Sequence, residues 1–76
     1  DGVSAAALAE LLLAAGEAER ALKVIRSADF PAELARAEAI LETRALEQTG
    51  RLAESQRRWQ RYLASKKGDR RSWISN

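Results

Sequence analysis

Between positions 57 and 71 the chain sets seven positive charges in fifteen residues: Arg57, Arg58, Arg61, Lys66, Lys67, Arg70 and Arg71. Side chains of this kind neutralise phosphates, so such a stretch can dock on nucleic acid or an anionic surface in a salt-sensitive way. Trp59 and Tyr62 lie among these arginines. On a nucleic acid they would be stacking platforms. Their spacing beside Leu52 and Ser55 reads better as an inward helical stripe, with the arginines pointing out at other angles. No base-reading module accompanies the charge, so the basic surface stands as the second reading of the chain, not the first.

Catalytic chemistry has little to work with. The chain contains neither His nor Cys, which removes disulfides, ordinary zinc sites and the commonest general base. There is no glycine-rich phosphate loop and no nucleophile beside a base. The carboxylates stand next to arginines along helix surfaces, as on a solvated helix face. The expectation is a non-enzyme with no cofactor and no metal. Absence of cysteine fits the cytoplasm without excluding the periplasm. The longest apolar run, AAALAELLLAA, is interrupted by Glu10 and stopped by Gly16, too short for a membrane span. A chain that opens DGVS reads as excised from a longer, bacterial-looking protein.

The elements that must position these residues are helical. Ala, Leu, Glu and Arg dominate, with a single proline among 76 residues, and these four types lead the helix scale. Charge is uneven: residues 1–50 carry five Lys/Arg against nine Asp/Glu (net −4), and residues 51–76 carry eight against two (net +6). The halves can attract each other or different partners. A first helix is expected over Val3–Ala15, capped by Ser4 or Asp1 and ended by Gly16, since glycine enters the left-handed region without penalty. A second over Glu17–Ala28 puts Ala18, Ala21, Leu22, Ile25 and Ala28 on one stripe. SADFP breaks it, and Pro31 suits the first turn of a third helix running to Thr49, with Leu34, Ala35, Ala39, Leu41 and Leu46 inward. A fourth spans Leu52 to about Lys66, with Leu52, Ser55, Trp59, Tyr62 and Leu63 inward. Gly68 closes it, and Asp69 caps a short fifth helix through Ile74. No segment alternates with period two, so no strand is expected.

Gly16 and Gly50 are 34 residues apart, and the same shift carries Ala5 onto Ala39, Ala9 onto Thr43, Leu12 onto Leu46, Ala21 onto Ser55, Ile25 onto Trp59 and Ala28 onto Tyr62. A second step takes Ala39 to Trp73. A helix–turn–helix unit with this period resembles the tetratricopeptide repeat. The family's small and large positions match Leu8-Ala9, Leu12, Ala21, Ile25 and Ala28 in the first unit. In the second they match Leu46, Ser55, Trp59 and Tyr62; Trp73 falls at the family's tryptophan. Glu42 departs, standing where a leucine is usual, and Pro31 comes about two residues early. The resemblance covers nearly the whole chain and implies an all-α, right-handed superhelix of stacked hairpins. It would have about five helices in one domain: a repeat over about 2–30, a second over about 31–67, and a partial third over 69–75 that docks on the fourth helix as a cap. It also implies an interaction scaffold whose first helices line a concave, partner-binding groove. On that alignment the groove faces are Ala6, Glu10, Leu13, Ala14, Ile40, Leu41, Arg44, Glu47 and Gln48. Leu13 and Ile40 would give apolar contact, and Arg44, Glu10 and Glu47 would give charge. Such a groove would take a protein or peptide, and the open face of the first helix would continue into another repeat or pair with a second copy.

Overall fold

The computed structural model describes the backbone of residues 2–74 and the side chains of residues 3–65. Among the described residues the chain is all-helical: α1 (Gly2–Ala14), α2 (Ala18–Ser27), α3 (Ala35–Gln48) and α4 (Leu52–Ile74), with one 3-10 turn over Ala32–Leu34. α1 and α2 form a first hairpin, α3 and α4 a second, and α3 lies against both helices of the first.

The two hairpin turns are built alike, bond for bond. After α1, Ala15 N–H donates to Leu11 (3.0 Å), Gly16 N–H to Leu13 (3.1 Å) and Glu17 N–H to Leu12 (2.8 Å). After α3, Thr49 donates to Ala45 (3.1 Å), Gly50 to Glu47 (3.0 Å) and Arg51 to Leu46 (2.8 Å). Each set is a Schellman cap, satisfying carbonyls that a helix end leaves orphaned. Both caps need a left-handed residue, and Gly16 and Gly50 supply it with φ of 79° and 80°. Even the first bond of the following helix repeats, Ala21 to Glu17 and Ser55 to Arg51, both 3.0 Å.

The core is where α3 closes over the first hairpin. Ala9, Leu13, Ala18, Ala21, Leu22 and Ile25 form one buried cluster with Leu41, Ala45 and Leu46 of α3, and Ala6, Leu12 and Phe30 pack against it. Alanine at the crossings lets the helix axes approach closely. Of the stripe expected on α2, Ala18, Ala21, Leu22 and Ile25 are buried, while Ala28 is the half-buried residue that follows the helix.

Several expectations give way. The third helix starts at Ala35 rather than Pro31, because Pro31 is extended (ψ 162°) and the chain enters through the 3-10 turn that follows it. Ser4 lies inside α1, not at its cap, and Asp1 is outside the described residues. Among the described residues the backbone does not break at Gly68: residues 52–74 form one helix, so no separate fifth helix begins at Asp69. A lone glycine costs a helix about 1 kcal/mol, and the lysines and arginines on either side are good helix formers. The side chain of Trp73, the expected cap, is outside the described ones. Leu52, expected inward, is 60% exposed.

Glu42, the residue that breaks the leucine pattern, ties the hairpins together. Its carboxylate accepts from Arg58 Nε of α4 at 2.6 Å and from Arg26 Nε of α2 at 3.1 Å. Glu42 and Arg58 keep side-chain exposures of only 9% and 11%, against 52% for Arg26. A buried carboxylate is tolerated when it is paired and fully hydrogen-bonded.

Candidate functional site: the cleft between α3 and α4

A broad cleft of about 1230 Å³ lies between α3 and α4. Its floor is made by Ile40 and Thr43 of α3 and Ser55 and Trp59 of α4, all partly or fully buried. The rim is exposed: Arg44 and Glu47 on one side, Gln56, Arg57, Gln60 and Arg61 on the other. A partly buried floor within a polar, exposed rim makes this an open cleft, unlike the enclosed pockets that hold small molecules.

The hydroxyls on the floor are already satisfied. Thr43 Oγ1 donates to the Ile40 carbonyl at 2.9 Å, within its own helix. Ser55 Oγ lies 3.2 Å from the Thr43 carbonyl and 3.3 Å from the Glu47 carboxylate, donating to one or the other. The floor therefore demands little hydrogen bonding from whatever covers it, and apolar groups can sit there without stranding a polar atom. Trp59 stacks obliquely with Tyr62, ring centroids 5.2 Å apart and 36° between planes, which holds the indole in place.

The groove expected from the first helices separates into different places. Ile40, Arg44 and Glu47 all line the cleft. Leu13 and Leu41 do not offer groove contact: they are 7% and 3% exposed, members of the core beneath α3. Gln48 sits by the first hairpin turn, near Gly16 and Thr49, and its amide donates to the Leu13 carbonyl at 3.3 Å. Glu10 is exposed on α1 and does not line the cleft. The α4 wall, with Gln56, Trp59 and Gln60, was not expected as a site. Its signal was present in the 34-residue shift, which takes Ala21, Leu22 and Ile25 to Ser55, Gln56 and Trp59.

The basic cluster also divides. Arg57 and Arg61 are exposed on the cleft rim, while Arg58 is committed to Glu42 and is no free phosphate ligand. Lys66, Lys67, Arg70 and Arg71 have side chains outside the described ones. Among the described residues no helix is long and apolar enough to cross a membrane, and no group of three acidic, His or Cys side chains is arranged to hold a metal. Comparison with known proteins returned no matching family model, no matching curated sequence and no matching solved structure.

Proposed function

We propose that this chain is a short array of helical hairpins, similar to tetratricopeptide repeats in a right-handed superhelix, that binds another protein without catalysis by taking a helix into the α3–α4 cleft. One observation carries the reading. The cleft residues Ile40, Thr43, Glu47, Ser55, Gln56 and Trp59 stand 34 positions after Ala6, Ala9, Leu13, Ala21, Leu22 and Ile25. Those six are the surface on which α3 rests. The second hairpin thus presents the same kind of seat that the first uses to hold a helix. A helix seated there meets Trp59 and Ile40 in the middle and two-signed charge at the edge, where Arg44 suits a carboxylate and Glu47 a basic side chain.

The test uses a panel of helical peptides, each apolar on one face and differing in charge on the other, titrated into isotope-labelled protein. Amide shifts gathered on Ile40, Thr43, Ser55 and Trp59, weakened by Arg44→Glu for acidic peptides, are the expected result. The opposing result is no peptide response, with DNA, RNA or anionic vesicles instead shifting Arg57 and Arg61 in a manner that salt abolishes. That outcome would replace this reading with the basic docking surface.

A further inference from the structure

α1 carries more apolar surface than its own hairpin uses. Of residues 3–14 only Glu10 is charged. One side of the helix enters the core through Ala9 and Leu13, yet Val3, Leu8 and Leu11 on the other side are 68%, 47% and 69% exposed. An amphipathic helix that packs on one side only normally turns a polar face outward. The 34-residue step identifies this outer face. Val3, Ala7, Leu8 and Leu11 correspond to Ala37, Leu41, Glu42 and Ala45, and of these Leu41, Glu42 and Ala45 are the buried side of α3. The described helices therefore carry, on α1, the kind of face by which α3 docks and, between α3 and α4, the counterpart of the surface that receives it.

Resting on the cleft reading above, we propose that the helix taken up is α1 of a second copy of this chain, giving head-to-tail self-association. Charge favours this direction. The cleft rim holds Arg44, Arg57 and Arg61 against Glu47, a local surplus of two positive charges. Placed as α3 is placed on the first hairpin, the incoming α1 brings its Glu10 one step beyond Arg44 on the same face. Cleft against cleft would instead set arginine against arginine. A contact between two different faces does not close on itself by symmetry, so association continues with concentration instead of stopping at a dimer.

Two exposed positions test it in the whole chain. Leu11→Lys spoils the donor face only. Gln56→Lys spoils the cleft only, at the counterpart of buried Leu22. Sedimentation velocity over a concentration series should show the unmodified chain growing in mass, and each variant weakened roughly tenfold or more in apparent Kd, with circular dichroism unchanged. An equimolar mixture of the two variants should form a one-to-one heterodimer at near the original affinity, because one intact donor meets one intact cleft. A chain that stays monomeric up to ~1 mM, or a mixture no tighter than either variant alone, overturns the proposal. If peptides of the panel still enter the cleft in that case, the cleft reading survives and only the second copy is lost.

Discussion

The seam between α1 and α2 and the seam between α3 and α4 share one backbone plan and differ in side chains. In the first, Ala9, Leu13, Ala21, Leu22 and Ile25 are sealed under α3. In the second, the same stations hold Thr43, Glu47, Ser55, Gln56 and Trp59, and the seam is an open cleft. The two hairpins are thus alike in their turns and unlike in their seams: apolar where α3 covers it, polar-edged where it lies open. Leu52 shows the same contrast. It is the counterpart of Ala18, which lies beside Gln48 and Thr49, and it is 60% exposed, with no described helix at the corresponding place on the second hairpin.

The largest effect that would break this comparison is a truncation at one pair of equivalent stations. Ile25→Ala removes a side chain that is 1% exposed and should cost about 2–5 kcal/mol, enough to unfold much of so small a domain at room temperature. Trp59→Ala should cost less in denaturant titration despite removing more atoms, because the indole lines the open cleft and keeps part of its surface exposed. Equal losses would mean that the second seam is as closed as the first.

Next in size is the buried carboxylate. Glu42→Ala strands Arg58 and should lower stability by about 2–3 kcal/mol, the exposed Arg26 contributing little. Replacing both partners, Glu42→Leu with Arg58→Met, leaves no charge stranded and should come within about 1 kcal/mol of the original or exceed it. A double variant as unstable as Glu42→Ala would show that the ion pair does more than fill an apolar station.

Smaller still are the turns. Gly16→Ala and Gly50→Ala each place a Cβ at φ near 80°, and neither Cβ would meet any atom within 4 Å. The cost is therefore backbone strain alone, about 1–2 kcal/mol, and it should be the same at both sites by chemical denaturation. A difference above about 0.5 kcal/mol would set the two turns apart. Arg51→Ala, which removes the exposed 3.2 Å pair with Glu19 across the hairpins, should change the melt least of all.

Much of the fold was legible because it is local. Glycine at positions 16 and 50 stops a helix by φ alone, and Ala18, Ala21, Leu22 and Ile25 announce a buried stripe by spacing. What escaped was what depends on the third dimension. Glu42 reads as a defect until Arg26 and Arg58, each 16 residues away, arrive at its two oxygens. Gly68 carries the same letter as Gly16 but lies within a basic helix-forming run, and residue type alone does not separate the two cases. Only Ile40, Arg44 and Glu47 of the expected groove fell on the cleft, all three from α3. The α4 wall is not legible from the alignment alone, because its character depends on which stations of the first hairpin α3 covers.

The most direct measurement is a paramagnetic one. The chain has no cysteine, so Gln60→Cys gives a single site for a nitroxide label on the cleft rim. Labelled protein is mixed with an unlabelled, isotope-enriched copy. Head-to-tail docking of α1 in the cleft should broaden the α1 amides around Leu8 and Leu11 in the enriched copy selectively, with α2 little affected. Amides of α1 that stay sharp under conditions where the chains associate would contradict it.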